Sequence, residues 1–188
     1  MKRLMTIARE WRLVAAGLIA GAIVHIVATL HVAQIGHLSA FATLSAPLPV
    51  NAVAFAPPIA PENHPLPFLP PDSLYAFCRF DASMARVRVS VQLPEAGWSL
   101  SLFGPGGENF YYVPGSDVQM TDVQLTLVPP GNVFVDAAAT MPESGPVVPE
   151  VRLPDAHGIA VLRAPIRGLA YQRRTDEARG TFKCQAMR

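Results

Sequence analysis

Asp72, Ser73, Tyr75, Arg79 and Asp81 fall within ten positions and combine two carboxylates, a hydroxyl, a phenol and a guanidinium. Paired carboxylates suit general acid–base chemistry, an arginine fork receives carboxylate or phosphate, and a phenol offers a stacking face with a polar tip. Further on, Gly106-Gly107-Glu108-Asn109-Phe110-Tyr111-Tyr112 sets Glu108 and Asn109 beside a turn, with Tyr111 or Tyr112 as a stacking face, a position from which side chains reach ligands at the end of a sheet. If the two segments converge, they form a pocket for binding or hydrolysing a small molecule. A structural reading competes at both. Asp72 and Ser73 also suit the exposed backbone of a turn, and Asn109 suits a turn whose neighbouring aromatics fill a core. Ser73, His157 and an aspartate can be drawn as a nucleophilic triad. However, His64 in a proline-rich run and His157 in Pro-Asp-Ala-His-Gly read as solvated loop residues.

No other reaction signature accompanies them. The chain has no G-x-S-x-G elbow, P-loop, H-E-x-x-H or G-x-G-x-x-G opening a helix, and its two cysteines lack metal-binding companions such as Cys-x-x-Cys or His-x-x-His. No cofactor, no metal site and no assigned catalytic residue are therefore expected.

The elements that must carry these residues begin with a membrane segment. Of 188 residues, 51% are hydrophobic and 15% charged, an apolar excess over soluble domains. Much of it lies in residues 13–35, long enough as a helix to cross a hydrocarbon core of about 30 Å. Lys2, Arg3, Arg9 and Arg12 precede it, and no Lys or Arg follows until Arg79, so residues 1–12 are expected in the cytoplasm and the remainder outside. Cleavage at Ala40-Phe41-Ala42 is the rival, but the apolar run exceeds the 7–15 residues or so of a signal peptide. His25, His31 and His37 are spaced by six and point in different directions around one helix, so they form no metal face. Gly17 and Gly21 make a small-xxx-small pattern that predicts helix pairing. Beyond the basic start the chain is mildly acidic and has no basic stripe, which excludes a nucleic-acid partner.

Nine prolines between Ala46 and Pro71 predict an extended linker over 36–71 that spaces the next domain from the bilayer, with part of its apolar content lying on a surface. Period-two alternation then starts. Arg86–Leu93 and Trp98–Leu102, separated by Pro94-Glu95-Ala96-Gly97, predict a hairpin, and short strands follow at Phe110–Val113, Asp122–Val128, Val133–Val135, Val151–Leu153 and Ile159–Ala164. Residues 137–149 read as a loop and Leu169–Met187 as a C-terminal helix. The fold class is mainly β: an antiparallel β-sandwich-like domain over 72–188, with one N-terminal transmembrane helix. Cys78 and Cys184 both fall in the exported part, where an oxidising compartment favours a disulfide between them.

Pro71-Asp72-Ser73-Leu74-Tyr75, then Phe80-Asp81, Pro94 through Gly97-Trp98-Ser99-Leu100-Ser101-Leu102, and Asn109-Phe110-Tyr111 resemble the bacterial family called domain of unknown function 1254. The likeness covers roughly 65–165. It departs at the family's Pro-Asn start, where this chain has Leu69-Pro70, and the chain is too short for the second β domain, numbered 1214, of larger members. The resemblance implies an exported, sandwich-like domain without an established biochemical role. The expected protein is thus a single-pass inner-membrane protein with a periplasmic module that binds a protein partner or a separately encoded second β domain. The alternative is a small-molecule-binding or hydrolytic domain built on Asp72, Tyr75, Arg79, Asp81, Glu108, Asn109 and Tyr111.

Overall fold

The computed structural model describes residues 2–32, 40–67, 69–131 and 148–187. It divides into two units, residues 1–39 and 40–188. The first is α1 (Lys2–Val32), in which Glu10–His31 forms a helix long and apolar enough to cross a membrane. None of that stretch is buried against protein, as expected of a helix whose apolar side chains face lipid. The helical reading of 33–35 and the position of His37 lie outside the described residues.

The second unit is a two-sheet sandwich, mainly β as expected. Among the described residues its strands are β1 (Val53–Phe55), β2 (Ser73–Asp81), β3 (Val87–Leu93), β4 (Ser99–Phe103), β5 (Asn109–Pro114), β6 (Thr121–Val128), β7 (Glu150–Arg152), β8 (His157–Pro165) and β9 (Lys183–Ala186). One sheet has the order β1-β2-β8-β4-β5 and the other β7-β6-β3-β9; all pairs are antiparallel except β6 with β7. The core between the sheets follows directly from period two. Val87, Val89, Val91 and Leu93 of β3 and Val123, Leu125 and Leu127 of β6 face Ala76, Phe80, Leu100, Leu102 and Leu162 across the gap. Trp98 plugs the same core at the start of β4. Cys78 of β2 and Cys184 of β9 are joined by a disulfide across the two sheets, with Cα atoms 6.4 Å apart.

Three expectations are corrected. Residues 86–93 and 98–102 do not form a hairpin: β3 pairs with β6 and β9, while β4 pairs with β5 and β8. The connection between them is an arch from one sheet to the other. It is held by Arg167, whose side chain reaches Glu95 at 3.0 Å and the Ala96 carbonyl at 3.1 Å, and by Asp117, which accepts from the Ala96 amide at 3.2 Å. Two consecutive strands with one apolar face each satisfy burial either side by side or face to face, so alternation does not choose between them. The antiparallel hairpin is instead β4 with β5, closed by Gly104–Glu108.

The expected C-terminal helix is shorter. A 3-10 turn at Leu169–Tyr171 leads into α3 (Gln172–Arg179), preceded in the chain by α2 (Ala40–Ser45), and the helix stops at Gly180. Phe182 enters the core and β9 completes the second sheet, because Cys184 must reach Cys78 and Phe182 has no room on a solvated helix face. The short edge strand at Val151 and the strand at Ile159–Ala164 are observed; the strand at 133–135 and most of the loop at 137–149 lie outside the described residues.

The linker is the third correction. Part of its apolar content lies on a surface as expected, but from Ala40 onward the linker belongs to the domain rather than forming an extended spacer; residues 36–39 lie outside the described set. β1 adds to the edge of β2 in the proline-free stretch between Pro49 and Pro57. Asn51, at φ 53°, receives the Asp81 amide at 2.9 Å on its side chain and donates to the Asp81 carbonyl at 3.0 Å. Phe41, Leu44, Leu48, Ile59, Leu66 and Leu69 then pack on Tyr75, Phe77 and Ile159. Leu44 is buried and the other five linker side chains are half-buried, and this removal of apolar surface from water favours the folded-down linker over a solvated one.

Candidate functional site

The two sheets differ on their outer faces. Arg88, Ser90, Gln92, Asp122 and Gln124 make the outside of the four-stranded sheet polar. The outside of the five-stranded sheet is apolar, because β2 and β8 are buried on both faces: Tyr75 and Phe77 point outward in register with Arg163 and Val161. The folded linker covers part of this face and leaves a groove of about 400 Å³, within the range of small-molecule sites.

Strand register orders the groove. Tyr75, Arg163 and Ser99 share one row; Phe77, Val161, Ser101 and Tyr112 share the next; Ile159 and Phe103 share a third. Phe41 and Leu44 of α2 form a wall. Arg163 is the one charged residue lining it among the described residues, and it stands in the first row. Its Nε donates to Ser73 Oγ at 2.9 Å, and Ser73 Oγ donates to Asp72 Oδ1 at 2.9 Å. Asp72 Oδ1 is 3.7 Å from Arg163 Nη2 and mostly exposed. Tyr75 is buried and stacked on Phe77, with ring centroids 6.2 Å apart. Burial pushes its phenol pKa up, opposed by the Arg163 charge and a hydrogen bond with Ser73 and reinforced by the Asp72 charge. The phenol therefore stays neutral at physiological pH and serves as a hydrogen-bonding group, not an anion.

Among the residues expected from sequence, Tyr75 lines this groove, together with Tyr112, the alternative to Tyr111. Arg79 shares its face of β2, but its Nη1 donates to the Ser45 carbonyl at 3.1 Å and pins the end of α2. Asp81 accepts from the Ser83 hydroxyl and from the Ser83 amide at 2.9 Å; these bonds, opposed by partial burial and aided by His157, hold its carboxyl below its usual pKa. His157 Nε2 lies 3.6 Å from Asp81 and its Nδ1 3.2 Å from Asp155. Glu108 folds back over its own turn: a Cβ at Gly104 would overlap its carboxylate, and one at Gly106 would lie 2.7 Å from Oε2. Tyr111 faces the inner core, and its neighbour Tyr112 faces the groove.

The two sequence clusters do not converge. Asp72 precedes the Ser73–Pro165 pair, whereas Asn109 lies in the row of Phe103, Ile159 and Arg79. That is seven residues, roughly 23 Å, along the strands and three strand spacings, roughly 14 Å, across them. Ser73 and His157 face Pro165 and Asp81 at opposite ends of β8, so no triad forms. No group of three or more His, Cys, Asp and Glu is placed to hold a metal ion among the described residues.

Sequence reading missed Arg163 and Ser101; of its two candidates for a stacking face, Tyr111 and Tyr112, the groove takes Tyr112. The available signal was the unbroken Ile159-Ala160-Val161-Leu162 run, which marks a strand covered on both faces and makes the arginine next to it conspicuous. It also missed Arg179, which lies over the Phe55 ring at 5.2 Å and donates to the Tyr75 carbonyl at 3.3 Å, tying α3 to the β1–β2 edge. Burial lowers its pKa, opposed by Asp176, and its Nε has no hydrogen-bond partner.

No family model and no curated protein matches the chain. Among solved structures, the VPA0106 protein of Vibrio parahaemolyticus is similar at a TM-score of 0.55 and 16% identity, over 82% of this chain and 37% of that one. An uncharacterised protein of Burkholderia cenocepacia aligns at 0.39 and 14% identity, over 73% and 34%. The first likeness is one of fold alone. The chain spans about a third of the length of either structure.

Proposed function

We propose that this protein is a membrane-anchored, non-catalytic binding module of the bacterial envelope, and that the groove on the outer face of the five-stranded sheet is its site. The carrying observation is the groove itself: an apolar face on a sheet whose opposite partner is polar outside, left partly open by a linker that covers the rest. The orientation belongs to the proposal. The N-terminus is cytoplasmic and the domain periplasmic at the inner membrane, supported by the basic residues before the apolar helix and by a disulfide suited to an oxidising compartment. Kinship with the domain of unknown function 1254 rests on the residues quoted above. Hydrolysis by the two sequence clusters would need a convergence that their separation argues against.

The groove reading is tested in the native envelope by ultraviolet crosslinking from benzoylphenylalanine at Tyr112, a half-exposed groove residue. A discrete adduct is expected, lost when Ser101→Trp fills the groove. An adduct that survives Ser101→Trp, or none under any growth condition, would sink this reading.

Docking of a second β domain is the other reading, favoured by β5: it pairs only with β4 among the described residues and presents an open edge for strand addition. Helix pairing through Gly17 and Gly21 is part of the proposal too, supported by the absence of other atoms over either position among the described residues. Gly17→Cys is expected to yield an oxidised dimer in membranes, and a monomer at every protein-to-lipid ratio would count against pairing.

A further inference from the structure

We propose that the groove takes the hydrocarbon chain of a single-chain anionic amphiphile, with its carboxylate or other anionic head group on Arg163. This rests on the groove being the binding site.

The polarity of the groove runs in one direction. Its first row holds the guanidinium, the Tyr75 phenol and the Ser99 hydroxyl; the second holds aromatic and aliphatic side chains with one hydroxyl; the third lines the groove with Ile159 and Phe103, its Arg79 being turned to the Ser45 carbonyl and outside the lining. From Arg163 to Ile159 is four residues of β8, roughly 13 Å of strand. A ligand matching that surface has charge at one end and hydrocarbon at the other.

The sign of the charge follows from Arg163. Ser73 Oγ holds Nε and limits the rotation of the fork, while the side chain remains nearly half exposed and lines the groove. A planar guanidinium with a fixed edge receives a carboxylate or phosphate through paired hydrogen bonds. Asp72 competes for the same fork from 3.7 Å, but an exposed ion pair at that distance is weak and can yield to a ligand anion. One groove of this volume accommodates one chain rather than the pair carried by a bilayer phospholipid.

Supply of such a ligand follows from the folded linker. Had 36–71 been extended, the domain would stand far from the bilayer. Because the domain begins at Ala40, only nine residue steps separate it from His31 at the end of the apolar helix, a reach of at most about 32 Å in any arrangement. A tether that short gives amphiphiles leaving the membrane ready access to the domain.

The test uses the full chain in phosphatidylcholine nanodiscs with four photoactivatable probes: diazirine palmitate, the matching hexadecanol, a matching alkyl trimethylammonium, and a diazirine phosphatidylglycerol. Palmitate is expected to label β2, β5 and β8 peptides of the groove, and Ser101→Trp to abolish that label. Arg163→Gln is expected to cut palmitate labelling about tenfold, as loss of a charge-assisted contact implies, while leaving hexadecanol labelling unchanged. Asp72→Asn acts in the opposite direction and raises palmitate labelling, so the inference stays testable even if Arg163→Gln perturbs the strand.

Equal labelling by the cationic probe, or equal loss of palmitate and hexadecanol in Arg163→Gln, overturns the anionic head group. Phosphatidylglycerol labelling as strong as palmitate overturns the single-chain ligand and makes bilayer lipid the source. If no probe labels the groove while the Tyr112 crosslink still yields its Ser101→Trp-sensitive adduct, the amphiphile is wrong and the binding site stands. If both are silent, the groove reading itself fails.

Discussion

Replacing Cys78 and Cys184 together by alanine is expected to lower the unfolding free energy of the β domain by about 4–5 kcal/mol, the largest single effect anticipated in this molecule. The bridge spans a sequence separation of 106, so the unfolded chain loses much of its freedom when it is closed. It also joins β2 of one sheet to β9 of the other, and β9 is a four-residue strand with one neighbour. Without it, the segment after Gly180 is held chiefly by the pairing with β3 and by Phe182 in the core. Guanidinium unfolding of the oxidised full chain and of the double variant, followed by the buried Trp98, measures the difference. Equal midpoints would show that closing the bridge does not stabilise the domain by restricting the unfolded chain.

Phe80→Ala is expected to destabilise by about 3–5 kcal/mol, the range for removing a fully buried phenylalanine. Phe80 is completely buried, and its ring lies where a side chain on Gly158 of the neighbouring strand would stand. A Cβ at Gly158 would overlap the ring and lie 2.5 Å from the Phe103 carbonyl oxygen. Gly158→Ala alone is therefore destabilising through overpacking, by about 1–3 kcal/mol. The pair gives a sharper prediction than either change. In the Phe80→Ala background the ring clash is gone and the backbone clash remains, so the double variant is less destabilised than the two single effects added together. Strict additivity in thermal or chemical unfolding would mean that the ring does not occupy the space over Gly158.

Which parts of this molecule could be read from its sequence follows from the range of the interactions involved. The strands β3 and β4 were legible because Val87 to Leu93 and Trp98 to Leu102 alternate, and alternation reports that one face is buried. Their placement in different sheets was not, because the arch depends on Arg167 and Asp117, which follow Gly97 by seventy and twenty residues. The end of α3 was foreshadowed by Gly180, yet the strand after it exists because β3 offers an edge and Cys78 a partner. The prolines between Ala46 and Pro71 exclude a helix or a central strand there, and α2 precedes them at Ala40–Ser45, but whether such a chain is solvated or folded down depends on the surface it meets. Here that surface is the apolar outside of β2 and β8.

The same division separates the expected from the observed site. Asp72, Tyr75, Arg79, Asp81, Glu108, Asn109 and Tyr111 drew notice as reactive types close together in sequence. Their roles were decided by distant partners: Arg79 by Ser45, Asp81 by Ser83 and Asn51, and Tyr75 by Arg163. By itself the sequence determined what acts locally or along one element, namely an apolar helix long enough to cross a membrane, a β-rich body, its alternating core and the supply of two cysteines. The tertiary structure alone decided which strands are neighbours, that the linker is a wall and that Arg163 stands at the end of an apolar groove. Those choices are made by contacts between residues tens of positions apart, and side-chain chemistry constrains them only after the backbone has brought the partners together.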